Sequence, residues 1–318
     1  MKEKITNRII GKAKMPELLE ALTSRISLSD LQSLLLEVYQ RRIKTLSPRH
    51  LLEQYTQNRF VQMSKMDPRT LVEFDRLAYS ILPQDFEVVE LSPVCPLGTN
   101  SIIAPVDQNN ALTTIRNTEV VADSTNVLAL ECARRRRKWL HDKEERQTTV
   151  KLCASHRLLR TQVFDSPDAF PHFQVFGLCT AGRDAGSLMF ETESLSEHID
   201  FYIRLLKAAI ELRKKINALR VVVLLYDESW TETIQQRVIA SLAEKHPGTK
   251  FDVSSVTEKQ TYYQGARFQI YAEDEKGTDY FLVDGGFTDW TQKLLSNKKE
   301  RLLISGLGSE RLLVCFQP

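Results

Sequence analysis

A glycine-rich run near the carboxyl end is the first place where residue types and spacing suggest chemistry: Gly306-Leu307-Gly308-Ser309-Glu310-Arg311. The nucleophile elbow of hydrolases needs glycine two residues before and two after its serine, but Leu307 and Arg311 flank Ser309. The run also lacks the third glycine of a dinucleotide-binding turn, and no G-x-x-x-x-G-K-[ST] motif occurs. An ATP site would have to be built in another way.

Cysteine and histidine show no metal or redox motif. The five cysteines are scattered, none forms a C-x-x-C pair, and the six histidines show no H-E-x-x-H spacing. This pattern is typical of reduced thiols, so we expect neither a disulfide framework nor a structural metal. The cysteines are Cys95, Cys132, Cys153, Cys179 and Cys315.

A cationic run, Arg134-Arg135-Arg136-Arg137-Lys138, lies within a predicted helix. Five successive positions cover all sides of a helix, so they do not all face one phosphate backbone. Asp142, Glu144 and Glu145 follow at distances that permit local ion pairs. The favoured interpretation is a solvated, salt-bridged helix end, and the alternative is a site for RNA or another polyanion.

Composition sets the class of protein. The 318 residues are 42% hydrophobic and 26% charged, which excludes wholesale disorder and allows one large domain or two modest ones. A net charge of +2 creates no global field for nucleic acid or an anionic membrane. Because no run of about 18 apolar residues and no signal-peptide core occurs, we expect a cytoplasmic protein without a membrane partner.

The elements that must position any site divide the chain in two. The first 66 residues are helix-patterned and almost free of glycine, with Ser29 and Ser47 as predicted N-caps and Pro48 in a first helical turn. We expect residues 1–66 to form a helical N-terminal appendage and residues 67–318 to form the core.

In the core, short strands alternate with a few long helices. Predicted strands are Ser101–Pro105, Val150–Ala154, Arg157–Phe164, His172–Cys179, Arg220–Tyr226, Lys250–Val256, Ala266–Glu273, Tyr280–Val283 and Arg301–Ser305. Predicted helices are Arg69–Leu82, Val127–Arg146, Ser196–Asn217, Thr231–Lys245, Asp289–Leu295 and a segment after Gly308. Several strands follow one another directly, so we expect an α+β fold with a mainly antiparallel sheet flanked by helices.

Three segments, in chain order, combine helices, strands and turns in a recognisable way. The first is the helix from Arg69 with the extended stretch ending at Pro93. The second is Arg160-Thr161-Gln162, a loop through Asp165 to Pro167, and the return strand His172–Gly177. The third is the strand, glycine turn and helix of Leu303–Leu312. Together they resemble the signature motifs of class II aminoacyl-tRNA synthetases, specifically histidyl-tRNA synthetase and its paralogues.

Further segments are similar to the histidyl branch. Tyr262–Phe268 is similar to its Y-Y-T-G-x-x-F strand, and Gly285–Asp289 to its G-G-R-Y-D turn. Ala122-Asp123-Ser124-Thr125 is similar to its P-E-G-T element. The resemblance covers roughly residues 69–316 and implies the class II antiparallel sheet.

The resemblance also implies roles for single residues. Arg160 and Arg311 would hold the phosphates of ATP and act in catalysis, and Phe173 would stack on adenine. Gln162 replaces the usual glutamate as an adenine contact, and Glu310 would bind Mg²⁺. The implied substrate-binding residues are Asp123, Thr125, Gln174, Tyr263, Gly285 and Gly286.

Some features depart from the family pattern. Glu258 stands where the histidyl enzymes carry an arginine for the α-phosphate, and Cys179 stands where they carry a glutamate. Only seven residues follow Arg311, so we expect no anticodon-binding domain, and residues 227–257 are too few for the usual insertion domain. Conventional tRNA charging with histidine is therefore disfavoured.

Three functions remain open. The first is an ATP- and Mg²⁺-dependent, homodimeric paralogue that activates a small amino or carboxylic acid as its adenylate. The alternative is a non-catalytic regulator similar to the ATP phosphoribosyltransferase regulatory subunit, which would act on an enzyme partner. The third and weakest is an RNA-binding module that uses the arginine run and the N-terminal helices.

Overall fold

The structure is a computed structural model that describes residues 2–140, 142, 145–162, 170–256 and 261–316. Four parts of the sequence expectations fall outside these ranges. They are the loop from Asp165 to Pro167 in the second signature, the end of the predicted strand Arg157–Phe164, Glu144 as an ion-pair partner, and Glu258 at the position of the family arginine.

The first 57 residues form helices, as their pattern predicts. They are α1 (Lys2–Ala13), α2 (Leu18–Glu20) with a π-helical turn (Ala21–Arg25), α3 (Leu28–Ile43) and α4 (Pro48–Gln57). Ser47 accepts a hydrogen bond from the His50 amide and caps α4, as expected. The cap of α3 is Ser27 and not Ser29, because Ser27 Oγ accepts from the Asp30 amide. No residue from 3 to 66 is fully buried.

An eight-stranded sheet forms the rest of the chain's framework, in the order β1-β4-β5-β10-β9-β8-β6-β7. Its strands are β1 (Glu87–Val88), β4 (Val150–Leu159), β5 (His172–Arg183), β6 (Ala218–Leu225), β7 (Thr249–Ser255), β8 (Gln264–Glu273), β9 (Asp279–Thr288) and β10 (Glu300–Gly308). Only β1–β4 and β6–β7 pair in parallel; the other five pairings are antiparallel. The expected α+β architecture with a mainly antiparallel sheet is confirmed.

The stretch Ser101–Pro105 is not a strand. A small ribbon of β2 (Val94–Pro96) and β3 (Thr118–Val120) flanks a π-helical turn at Thr99–Ile103. Gly98 enters the turn with φ of 88°, a left-handed conformation that glycine adopts without strain. The carboxylate of Glu119 accepts the Gly98 and Asn100 amides, which satisfies these groups without a strand partner.

Helices cover both faces of the sheet. They are α5 (Pro68–Ile81), α6 (Ser124–Trp139), α7 (Met189–Ala208), α8 (Thr231–Ile234) continuing through a π-helical turn into α9 (Ala240–Lys245), α10 (Trp290–Leu295) and α11 (Ser309–Cys315). Alternation along β10 divides the core: Leu303 and Leu307 join the cluster beneath α5 and α7, whereas Leu302 and Ile304 join the cluster beneath α6. No helix among the described residues is both long and apolar enough to cross a membrane.

Candidate functional site

A cavity of about 580 Å³ lies between the start of α6 and strands β5, β8 and β10. This volume lies within the range typical of small-molecule sites. Seven of the residues predicted from the sequence line it: Asp123, Thr125, Arg160, Gln162, Phe173, Tyr263 and Arg311. The fold therefore brings together segments that are far apart in the chain.

Two arginines in this cavity differ in their surroundings. Arg160 follows the end of β4, and its Nε donates to the Ala122 carbonyl at 2.9 Å while Nη2 lies 3.4 Å from Asp123 Oδ2. Its guanidinium carbon lies 5.3 Å from the centroid of the Phe173 ring. Arg311, in the first turn of α11, makes no hydrogen bond or ion pair with any residue that the structure describes. The Arg311 guanidinium is therefore available to an anionic ligand.

Asp123 organises the start of α6. Its Oδ1 accepts from the Thr125 amide at 2.9 Å and from Thr125 Oγ1 at 2.8 Å, which caps the helix. The helix packs closely on β5, since a Cβ added at Gly177 would lie 2.9 Å from Ser124 Oγ. Asp123 therefore presents only one oxygen, Oδ2, toward Arg160 and a ligand.

A partly exposed ion pair stands on the β8–β9 side of the cavity. Arg267 Nε donates to Asp284 Oδ1 at 2.7 Å, and Tyr263 Oη donates to Asp284 Oδ2 at 3.0 Å. Burial raises the pKa of Tyr263 well above its usual value, so its hydroxyl stays protonated. Sequence reasoning did not assign Asp284, although it directly precedes the glycine pair of the G-G turn.

Gly285 and Gly286 do not line this cavity. A Cβ at Gly286 would lie 2.6 Å from Tyr263 Cδ1, and one at Gly285 would lie 2.5 Å from Ser305 Cβ. The two glycines therefore allow Tyr263 and strand β10 to pack closely on β9. The structure explains them by packing and not by substrate contact.

Gln174 lies on the side of β5 opposite the cavity. Phe173 and Val175 line the cavity, but side chains alternate along a strand, so Gln174 points away from it. Its Nε2 donates to Asp75 Oδ2 at 3.0 Å and to Ser155 Oγ at 2.7 Å. The structure therefore does not support Gln174 as a substrate contact, and Val175 occupies the inward position.

Glu310 does not fit the predicted role of a Mg²⁺ ligand. Arg157 Nη2 lies 2.5 Å from Glu310 Oε1, and Ser64 Oγ donates to Oε2 at 3.2 Å. Both oxygens are thus engaged, and a metal would have to displace the arginine. Among the described residues, no cluster of three or more His, Cys, Asp or Glu side chains could hold a metal ion.

A polar chain that the sequence did not reveal forms one wall of the cavity. Glu119 is fully buried and has no cationic partner among the described residues. It accepts from the amides of Gly98 and Asn100 and from the side chains of Asn100 and Gln108. Burial raises the pKa of Glu119, but these hydrogen bonds outweigh it, and the pKa is lowered. Glu119 is therefore a carboxylate, which only accepts hydrogen bonds.

The charge on Glu119 fixes the orientation of two amides. Asn100 must turn its Nδ2 to Glu119, at 2.6 Å, so its Oδ1 faces Asn126 and accepts from Asn126 Nδ2 at 2.7 Å. Asn126, which is 1% exposed and lines the cavity, is then left with Oδ1 as an acceptor. In the part of the chain that the structure describes, this buried oxygen has no partner.

Cys179 is fully buried beneath the start of α6. Its Sγ lies 3.7 Å from the Thr125 carbonyl oxygen, toward which the thiol donates. Burial raises the pKa of Cys179 well above its usual value, so the group is a neutral thiol. It therefore replaces the charge of the family's glutamate with a weak hydrogen-bond donor.

Three residues of the cationic run form ion pairs within the fold. Arg134 and Arg135 both pair with Glu131 at 2.7 Å. Arg136 and Glu300 are both fully buried, and Arg136 Nε lies 2.8 Å from Glu300 Oε2. Arg134 and Arg135 thus form local ion pairs, but the partner is Glu131, which precedes the run, whereas the expectation named the acidic residues that follow it. Arg136 joins α6 to β10 within the core.

The end of the helical appendage contacts the rim of the cavity. Arg59 donates to the carbonyl oxygens of Thr161 and Gln162, at the start of the second-signature loop. The Gln62 carbonyl lies 2.6 Å from His172 Nε2, on the returning strand. With the Ser64–Glu310 bond, these contacts connect residues 58–66 to both the second and the third signature.

Comparisons with known proteins define the fold. No protein-family model matches the sequence, and no curated protein matches it. An ATP phosphoribosyltransferase regulatory subunit/histidyl-tRNA synthetase from Bacillus halodurans is 13% identical, with a TM-score of 0.55 over 81% of this chain and 83% of that chain. The chain has the fold of the class II aminoacyl-tRNA synthetase catalytic core.

Two further solved structures share this fold. The apo histidyl-tRNA synthetase of S. aureus is 14% identical, with a TM-score of 0.53 over 77% of this chain and 64% of that one. A histidine–tRNA ligase subunit from Alicyclobacillus acidocaldarius is 12% identical, with a TM-score of 0.51 over 79% of this chain and 94% of that one. This chain thus spans less than two thirds of the S. aureus synthetase.

Proposed function

We propose that the chain binds ATP in the 580 Å³ cavity and activates a small amino acid as its adenylate. The observation that carries the proposal is that Arg160, Arg311 and the ring of Phe173 line one cavity, although they come from three different segments. A flat ring and two guanidinium groups are the groups that a purine nucleotide with a triphosphate requires.

Each residue has a role that follows from its contacts. The partially exposed Phe173 ring stacks on the adenine, and Gln162 at the cavity wall contacts its edge. Arg311, which has no partner among the described residues, holds the outer phosphates. Arg160, already oriented by the Ala122 carbonyl, faces the α-phosphate, where negative charge develops as the substrate carboxylate attacks and pyrophosphate leaves.

The amide orientation at Asn126 favours an amino acid over a simple carboxylic acid. Asn126 Oδ1 is a buried acceptor without a partner among the described residues, and such a group is costly unless a ligand supplies a donor. Asp123 Oδ2 and Thr125 Oγ1 stand nearby on the same turn of α6. An ammonium group offers three N–H donors and a positive charge, which suits this acceptor-rich end of the cavity.

A second candidate function is that of a non-catalytic regulatory subunit. The buried thiol of Cys179 is neutral where the family carries a carboxylate, and Asp123 is engaged by Arg160. The neutral thiol and the Asp123–Arg160 pair both reduce the negative charge available to a substrate ammonium group. The likeness to the Bacillus halodurans protein, whose name includes the regulatory subunit, supports the same alternative.

Pyrophosphate exchange tests the catalytic proposal. Purified protein with ATP and Mg²⁺ is assayed with each of the common amino acids and with their desamino analogues. We expect exchange with at least one amino acid and none with its desamino analogue. Asn126→Ala should raise KM for the amino acid more than KM for ATP, whereas Asn7→Ala, at an exposed position on α1, should change neither.

The outcome also separates the two candidates. ATP binding by calorimetry without exchange for any acid would support the regulatory subunit, and copurification with an enzyme partner would strengthen it. No detectable ATP binding would contradict the proposal that the cavity is a nucleotide site. We further propose a homodimer, which sedimentation of the full chain tests.

A further inference from the structure

A second cavity, of about 360 Å³, lies where the C-terminal end of α7 meets the first residues of β6 and β7. Among the residues that the structure describes, it shares no lining residue with the first cavity. Three lysines line it, Lys207, Lys214 and Lys215. The polar part of the lining also includes Asn217, Thr249 and Glu275, and Gly248 lies beside them. Neither the sequence motifs nor the proposed function uses these residues.

The charges of this cavity are unbalanced. Lys214 is only 7% exposed, and its Nζ donates to the Leu313 carbonyl at 2.9 Å, but it forms no ion pair with any described residue. Lys207 Nζ lies 3.4 Å from His246 Nδ1, and His246 Nε2 lies 2.7 Å from Asp200 Oδ1, which does not line the cavity. Glu275 is the one carboxylate among the lining residues, and it pairs with Lys215 at 3.2 Å.

A buried ammonium without a counter-charge is costly. Burial lowers the pKa of Lys214, which reflects this cost. An ammonium has three donors, and one of those of Lys214 is used by the Leu313 carbonyl. An anion in the cavity would accept from the others and supply the missing negative charge.

A neutral donor adds to the three lysines. Thr249 Oγ1 is buried and has no hydrogen-bond partner in the described part of the chain. The neighbouring Gly248 is exposed and has φ of 90°, and no heavy atom lies within 4 Å of the position where a Cβ would stand. Lysine side chains and a hydroxyl-bearing residue that line one cavity are typical of phosphate recognition.

We propose that this second cavity binds a small phosphate-bearing molecule, with Lys207, Lys214 and Lys215 supplying charge and Thr249 donating a hydrogen bond. The ligand is compact and carries at least two negative charges, because Glu275 already offsets one of the three lysines. The site does not depend on nucleotide binding in the first cavity.

Hydrogen exchange of the full chain with inorganic pyrophosphate as the probe tests this proposal. We expect protection of backbone amides in residues 213–219 and 248–250 that rises with probe concentration and weakens with salt. Any protection at Arg311 and Gly306 would report the first cavity, so each site has its own readout. Absence of protection at residues 213–219 and 248–250 at low salt would overturn the proposal.

Two exposed lysines give the decisive variant. Lys207→Gln with Lys215→Gln should shift the midpoint of protection by tenfold or more to higher probe concentration without changing the unfolding temperature. The matched control is Lys298→Gln with Lys299→Gln, which removes the same charge from an exposed turn elsewhere. An equal shift in both double variants would show a non-specific charge effect and would contradict the site.

Discussion

Arg160 and Arg311 line the same cavity, and of the two only Arg160 has a charged partner among the described residues, the Asp123 carboxylate at 3.4 Å. The two guanidinium groups therefore start from different states when an anion arrives. Arg160 must share its charge with Asp123, whereas Arg311 loses no contact with any described residue. Arg311 should consequently contribute more to the initial affinity for a triphosphate.

Arg311→Gln should weaken ATP binding by roughly 10- to 100-fold, because a hydrogen bond to a charged group contributes about 1.5–3 kcal/mol. The measurement is calorimetric titration of the purified protein with ATP. The control is Arg42→Gln, an exposed position on α3, which should leave the affinity unchanged. Equal affinities for the wild type and Arg311→Gln would contradict the role given to Arg311.

The buried pair Arg136–Glu300 should be a major stability determinant. Arg136→Met leaves the fully buried Glu300 carboxylate without its partner, which should lower the free energy of unfolding by about 3–5 kcal/mol. The double variant with Glu300→Leu should recover most of this loss, since both charges are then removed. Arg134→Met, at a side chain that is 61% exposed, should cost less than about 1 kcal/mol in the same urea titration.

His198 should make the protein less stable in mild acid. Burial lowers the pKa of His198 to about 3, and the side chain lies between Thr180 Oγ1 and Ser305 Oγ. In the unfolded chain its pKa is near 6.5, so below that pH the unfolded state binds a proton that the folded state does not. Stability from this group is therefore complete above about pH 6.5 and falls as the pH decreases toward 3.

The His198 effect is measured by urea unfolding between pH 7 and pH 5. Between pH 6.5 and pH 5 the free energy of unfolding of the wild type should fall by about 2 kcal/mol because of His198. His198→Gln should not show this decrease. His50→Gln, at an exposed position in α4, should retain most of that loss. Parallel curves for the wild type and His198→Gln would show that another group causes the pH dependence.

Glu119→Gln should loosen the wall of the first cavity. The amide places a donor opposite the N–H groups of Gly98, Asn100 or Gln108, so at least one hydrogen bond is lost and the cost is about 1–3 kcal/mol. We expect faster hydrogen exchange in residues 98–110 and a lower unfolding temperature. Glu53→Gln, on the exposed face of α4, is the matched control and should change neither.

Alternating and periodic patterns predicted most of the sheet and helices. The β6 strand, for example, was predicted from its run of valines and leucines, and its residues alternate between buried and partly exposed along the whole length. The prediction of a strand at Ser101–Pro105 was wrong. The conformation there depends on the Glu119 carboxylate in β3, which accepts hydrogen bonds from the Gly98 and Asn100 amides. No local pattern contains that contact.

The candidate site was predicted as far as short motifs reach. Signature segments located Arg160, Phe173 and Arg311, all of which line the cavity. The alternation of side chains along β5 would have separated Phe173 from Gln174, so a usable signal was present there. The orientation of Asn126 could not be predicted in this way. It follows from the buried Glu119 carboxylate, which acts through the Asn100 side chain, and no residue spacing in the sequence indicates it.

The contacts of Arg59 and Ser64 have a practical consequence for anyone who shortens the protein. A truncation at residue 66 would remove helices in which no described residue is fully buried, so burial alone predicts little loss of stability. Yet the cut would also remove the Arg59 side chain, which donates to two carbonyl groups at the start of the second-signature loop, and the Ser64 hydroxyl, which contacts Glu310. A shortened protein that folds but binds ligand poorly would therefore reflect a lost brace at the cavity rim, and kinetic work should begin with the intact chain.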